Sequence, residues 1–187
     1  MVPLDAMKMT FLYGLTALFL TIALGGCSRP PEAAPEAQEH APLVVFLVRH
    51  GEKVDASGDP ELSPAGQERA ATLATVLKDA SLGQVHSSDY IRTRDTAAPS
   101  AAAHGLEVQL YDPRDLPALA TRLRAAGGRH LVVGHSNTTP ALVELLGGRP
   151  GSEIDEPAEY DRLYIVTIGK DGASSSVLLR YGTPYIP

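Results

Sequence analysis

Leu43–Lys53 reads "LVVFLVRHGEK": an unbroken apolar run, Leu43–Val48, that stops abruptly in Arg49, His50, Gly51, Glu52 and Lys53. An apolar run with no alternating polar residue marks a strand covered on both faces, and such strands belong to parallel sheets sandwiched between helices. In open sheets of that kind ligands bind at the carboxyl ends of the strands. Five polar or flexible residues at that position therefore mark a site.

Strands and helices alternate through the rest of the chain. Residues 62–80, "LSPAGQERAATLATVLKDA", predict a helix: Ser63 is placed to cap it, Pro64 suits its first turn, and Ala70, Leu73, Ala74 and Leu77 share one face. A short strand at 83–88, a helix over 90–104, a strand at 107–112 and a helix over 116–126 follow. A second buried strand, "HLVVGHS" at 130–136, precedes a helix over 139–146. Two late strands, 162–169 and 175–182, flank "KDGA", which has the composition of a hairpin turn. The expected class is α/β, a three-layer α/β/α sandwich around a mostly parallel sheet.

The chain has 187 residues, 44% of them hydrophobic, enough for one domain and an appendage. Its formal net charge of -6 argues against nucleic acid or an anionic membrane surface as a partner held by bulk charge, so any anion site must be local. Cys27 is the single cysteine, which excludes an intramolecular disulfide. Ahead of it lies "MKMTFLYGLTALFLTIALGG", 7–26: a lysine, an apolar stretch and small residues, as in a secretory signal, with Met7 as an alternative start to Met1. Leu24-Gly25-Gly26-Cys27 resembles the bacterial lipoprotein box, which implies cleavage before Cys27 and lipid on its thiol. The rival reading is an uncleaved anchor, since Met9 to Gly26 is 18 uncharged residues. Both readings hold the domain at a membrane and outside the cytoplasm. Ser28 after Cys27 resembles sorting to the outer membrane, facing the periplasm. The expected organisation is a signal at 1–26, a lipidated cysteine and Pro/Ala/Glu-rich tether at 27–42, and a folded domain at 43–187.

Two histidines end buried strands, His50 in "VRHG" and His135 in "VVGHSN". If those strands are parallel neighbours, both rings emerge at one edge. "SSDYIRTRDTA", 87–97, follows a third strand and puts Arg92 in the first turn of a helix. Arginine suits a tetrahedral oxyanion because its planar fork donates parallel hydrogen bonds and keeps its charge, so Arg49 and Arg92 form a candidate phosphate clamp. The helix beginning near "NTTP" adds its positive end. Positive charge in such a pocket disfavours imidazolium and leaves a ring nitrogen of His50 free for attack at phosphorus.

"LVRHG", "LSPAG", "SSDYIRTRDTA" and "VVGHSN" resemble, in that order, the successive motifs of the histidine phosphatase superfamily, the phosphoglycerate-mutase-like fold. The resemblance implies that His50 is the nucleophile that becomes phosphorylated, that Arg49 and Arg92 bind phosphoryl oxygens, and that His135 hydrogen-bonds the same group. It implies no metal and no cofactor, and no His-Glu-x-x-His pattern competes. The general acid that many relatives draw from a Glu after the second arginine has no counterpart in "VQLYDPRDLPALA"; Asp112, Asp115 and Glu52 are the candidates. The long insertions of larger relatives are missing as well, so an open, shallow site is expected.

Quieter readings apply elsewhere. His40, His86, His104 and His130 read as structural or solvated, Arg94 as a surface ion-pair partner, and Tyr160-Asp161-Arg162 as a capping turn. Lys53 either adds positive potential or decorates a loop. The function expected is a phosphatase acting on a small phosphorylated substrate or an envelope phosphate, held to the bilayer through acylated Cys27. The alternatives are a non-catalytic phosphate-binding or envelope-interaction module on the same fold and, disfavoured by the missing Glu and lid, a phosphoglycerate mutase.

Overall fold

In the computed structural model, which describes residues 42–187, the apolar run forms strand β1, Leu43–Arg49. The segment 1–26, Cys27 and the tether as far as Ala41 lie outside the described residues. The elements that follow are α1 (Pro64–Val76), β2 (Gln84–Ser88), α2 (Ile91–Ala103), β3 (Val108–Tyr111), α3 (Leu116–Ala126), β4 (Gly128–Gly134), α4 (Thr138–Leu145), β5 (Arg162–Ile168) and β6 (Ser174–Arg180). Each expected element is present with ends shifted by a few residues. Among the described residues no helix is long and apolar enough to cross a membrane.

The sheet order is β3-β2-β4-β1-β5-β6. The four strands from β3 to β1 run parallel, whereas β5 is antiparallel to β1 and β6 antiparallel to β5. Alternate residues of β1 feed two cores, as a doubly covered strand must. Leu43, Val45 and Leu47 pack with Leu119 and Leu123 of α3 and Leu142 and Val143 of α4. Phe46 and Val48 face the other way, toward Leu73 of α1 and Ala97 and Ala101 of α2. Sheet and helices thus form the expected three layers.

Position follows from connectivity. Helix α1 leaves β1 over one face, and α4 leaves the neighbouring β4 over the opposite face. The chains diverge there and open a crevice between the two strand ends, the switch point at which such sheets bind ligands.

Local chemistry explains the ends. Ser63 Oγ accepts from Gly66 N at 3.2 Å with Pro64 in the first turn, and Asp115 caps α3 by accepting from Ala118 N at 3.1 Å. Strand β4 starts two residues earlier than expected, because Gly128 N donates to Pro42 O at 2.8 Å and opens the pairing with β1. It ends at Gly134, so His135 lies beyond the ladder.

Tyr160-Asp161-Arg162 is not a simple capping turn. Arg162 and Glu159 are both buried and bonded at 2.6 and 2.8 Å, and Arg180 bridges Glu159 and Asp161 at 2.6 Å each. Full pairing is what makes the burial of these charges tolerable. The network pins the segment 146–161 against the β5–β6 hairpin. His86 and His130 are buried against each other, with ring nitrogens 3.1 Å apart, and stay away from the strand-end crevice.

The "LSPAG" motif is explained by contact. A Cβ on Gly66 would lie 2.3 Å from the backbone oxygen of Glu52, so glycine is needed for the segment after His50 to rest on the first turn of α1. Gly66→Ala is expected to cost about 1–3 kcal/mol through this overlap. A lowered Tm in thermal unfolding, with Gly58→Ala as a control in open space, checks it.

Candidate active site

The β1 ladder runs one residue past the strand, with His50 N donating to Gly134 O at 2.9 Å. Gly51 N donates to Thr96 Oγ1 at 2.9 Å, and Thr96 Oγ1 donates to Arg92 O at 2.7 Å. One buried threonine of the "SSDYIRTRDTA" motif thereby ties the histidine loop to the turn that carries Arg92. The His50 ring is 3% exposed, and its Nδ1 lies 2.8 Å from Gly51 O. A carbonyl only accepts, so Nδ1 carries the hydrogen and Nε2 keeps its lone pair.

His135 enters from the other side of the crevice. Its backbone N donates to Thr138 Oγ1 at 2.9 Å, and its Nε2 pairs with Ser88 Oγ at 2.9 Å. Ser88 Oγ also sits 3.1 Å from Thr93 Oγ1, so β2 and α2 together fix the ring. The two imidazoles stand edge to face, 5.4 Å between centroids.

Between them lies a cavity of about 350 Å³ whose wall includes His50, His135, Arg92, Lys53, Glu156 and the Ser136–Thr138 start of α4. No side chain caps α4, so its positive end faces the cavity. Arg92 stacks over Tyr90 at 4.5 Å and makes only long contacts, 3.4 Å each, to Gly58 O and Asp59 Oδ1. Its Nε has no partner among the described residues. The guanidinium therefore keeps donors for an anion.

Arg49 behaves differently from what the resemblance implies. It is 1% exposed, lies over the Tyr160 ring at 4.0 Å, and donates to Glu159 O at 2.9 Å. Its Nη2 donates to Glu156 Oε1 at 3.0 Å, and Lys53 Nζ approaches the same oxygen at 3.5 Å. A carboxylate of the chain thus engages Nη2, while Arg49 Nε is buried with no partner among the described residues.

The three acid candidates lie elsewhere. Glu52 is held by Arg69 in a bidentate pair at 2.7–3.1 Å, Asp115 caps α3, and Asp112 is chelated by Arg114. The Arg114 hydrogen bonds hold Asp112 below the usual carboxylate range, the wrong direction for a proton donor. Glu156 and Arg114, both in the cavity wall, were not singled out by their local sequence. The available signal was length: 16 residues without regular structure separate α4 from β5, and such long segments in a small domain are commonly functional. Among the described residues no group of three metal-ligating side chains converges.

Burial dominates the electrostatics. It pushes His50 down to about 3, helped by Arg49 and His135 and opposed by the Gly51 hydrogen bond. Burial, then Arg92 and Arg49, push His135 to about 4. Both rings are neutral near pH 7, as a nitrogen nucleophile requires.

Residues 45–113 match the family model of the histidine phosphatase superfamily (branch 1). A protein of Escherichia fergusonii described as "Probable phosphoglycerate mutase GpmB" is 38% identical over 79 residues, covering 38% of this chain and 36% of that protein. The chain therefore spans about a third of the length of the curated relatives it matches. The structure of the protein histidine phosphatase SixA complexed with tungstate superposes with a TM-score of 0.58 at 20% identity, covering 74% of this chain and 97% of the other. A mycobacterial glucosyl-3-phosphoglycerate phosphatase superposes with a TM-score of 0.56 at 16% identity, covering 74% and 98%.

Two outcomes are expected from this geometry. Glu156→Gln removes the charge competing for Arg49 and Lys53, so inorganic phosphate should bind about tenfold more tightly by calorimetry, near 1.4 kcal/mol; weaker binding would show that the carboxylate assists instead. Stability should also fall with acid. His50, His86 and His135 hold folded values of about 3, 4 and 4 against about 6.5 when unfolded, so the unfolded chain binds more protons below that value. Stability is complete above about pH 6.5 and lost progressively toward about pH 4, which a Tm series from pH 7.5 to 4.5 will read.

Proposed function

We propose that the chain, whose residues 45–113 match the histidine phosphatase superfamily model, acts as a member of that superfamily and hydrolyses a phosphomonoester or phosphoramidate through a phosphohistidine on His50. The observation that carries this reading is the pair of neutral imidazoles 5.4 Å apart at the switch point, with His50 Nε2 unencumbered and Arg92 in the same wall. The tungstate in the SixA neighbour is a tetrahedral oxyanion, the shape this cavity is suited to hold.

The steps follow from the positions. The phosphoryl group rests against Arg92 and the start of α4, and His50 Nε2 attacks phosphorus in line. The N–P bond forms as the bond to the leaving group breaks, while His135 and Arg92 meet the charge on the equatorial oxygens. No carboxyl group in the cavity wall stands clear of a cation, so the departing atom takes its proton from water. Water then attacks phosphorus, the N–P bond breaks, and inorganic phosphate leaves with His50 restored. This route favours good leaving groups.

In the same reading the enzyme works at the cell envelope, with the domain tethered through residues 28–42 to a lipid on Cys27 and the outer membrane as its seat. The support is the sequence at 24–28.

His50→Ala should abolish p-nitrophenyl phosphate hydrolysis at an unchanged Tm, and it should leave no alkali-stable, acid-labile label when a reaction with a radiolabelled phosphate donor is quenched in base. Arg92→Ala and His135→Ala should each cost about 10²- to 10³-fold in kcat. Full activity in His50→Ala sinks the reading.

A further inference from the structure

The helix that carries Arg92 lacks a cap of its own. Tyr90 stands at the cap position of α2 without a side-chain hydrogen bond to it, and the first turn contains no acidic residue. That turn carries two cations instead, Arg92 and Arg94, at the end of the helix where the dipole is positive and cations are disfavoured. The first amide of α2 is served from elsewhere. Ile91 N donates to Asp59 Oδ1 at 2.9 Å, across 32 residues of sequence.

Asp59 belongs to a loop that restrains it. The loop is closed at its base by an antiparallel bridge between Lys53 and Leu62, by Val54 N donating to Glu61 O at 3.1 Å and by Ser63 N donating to Glu52 O at 2.9 Å. Asp59 precedes Pro60, which is buried and confines the backbone before it to extended conformations. Where the loop tip meets α2, the same Oδ1 lies 3.4 Å from Arg92 Nη1, as does Gly58 O, and the Tyr90 ring covers the guanidinium at 4.5 Å. The short bond goes to the backbone and the long ones to the side chain. Arg92 is thereby placed without being consumed, because contacts of 3.4 Å fall short of full hydrogen bonds.

Resting on the phosphatase reading, we propose that Asp59 is a positioning residue for the reaction: by capping α2 from a separate loop, it sets where Arg92 meets the phosphoryl group. It touches no reacting atom. Its oxygen at Ile91 N is what the site needs, and its negative charge beside Arg92 works against an incoming anion. The two effects can be separated, because asparagine keeps an acceptor oxygen and ranks with aspartate as a cap, whereas alanine supplies neither oxygen nor charge. The loop whose base carries Lys53 into the cavity wall thus also fixes Arg92 in that wall.

The test compares the full-length chain with Asp59→Ala and Asp59→Asn, by calorimetry with inorganic phosphate and by kinetics with p-nitrophenyl phosphate. Asp59→Ala should weaken phosphate binding and lower kcat/KM about five- to tenfold, whereas Asp59→Asn should match or exceed the wild type in phosphate affinity. Glu61→Ala, which removes a carboxylate from the same loop, should behave as wild type. In an Arg92→Ala background, Asp59→Ala should change kcat/KM by less than about twofold, since no guanidinium remains for it to place. A loss that persists undiminished in that background reports general damage to the fold and overturns the proposal. Wild-type affinity in Asp59→Ala, Asp59→Asn as poor as Asp59→Ala, or an equal loss in Glu61→Ala overturns it too. The calorimetric arm needs no turnover: phosphate binding by a chain that hydrolyses nothing sinks the phosphatase reading and leaves Asp59 to be judged on alanine against asparagine alone.

Discussion

The parallel pairing of β1 with β4 is the constraint on which the site depends. It sets Arg49 opposite Gly134 and continues through His50 N to Gly134 O at 2.9 Å, so the two chains run out of ladder at the same level. Their next side chains, His50 and His135, then leave the sheet together while α1 and α4 carry the backbones to opposite faces. A register shifted by one residue would send one imidazole into a helix layer. Gly66 and Thr96 serve the same end, the first by allowing the loop after His50 to lie on α1, the second by fixing Gly51 and the Arg92 turn.

Burial then decides the chemistry. The buried His50 ring and the half-buried His135 ring hold no proton at neutral pH, and the surrounding arginines push the same way. The lone pair on His50 Nε2 is therefore a property of the sheet edge rather than of a neighbouring base. The cost is a fold weakened by acid, shared by His86, whose stacked contact with His130 lies away from the site.

The segment 146–161 brings charge of the opposite sign. Its far end is clamped by buried Glu159, Asp161, Arg162 and Arg180, and from that anchor it lays Glu156 against Arg49 and Lys53. Arg49, with its guanidinium on the Tyr160 ring and its donors on loop oxygens, ties that segment to the end of β1. One arginine thus joins the catalytic strand to the loop that shapes what can approach it.

How much of this was legible follows from what each feature depends on. The apolar run Leu43–Val48, the cap at Ser63-Pro64 and the strand-end histidines are local patterns whose burial or hydrogen bonding is fixed by near neighbours along the chain. They were enough to place the fold class, every element and the meeting of His50, His135 and Arg92. The carboxylates were not legible in that way. Glu52, Asp112 and Asp115 stand close in sequence to motif residues, yet Arg69, Arg114 and the start of α3 claim them. Glu156 lies more than 100 residues from Arg49 and meets it only because β5 returns antiparallel beside β1. The sequence by itself determined which backbone segments are buried and which residues end them, because periodicity and capping are short-range. Only the tertiary structure decided which charge faces which, because ion pairs form between side chains that the chain brings together after the sheet has closed.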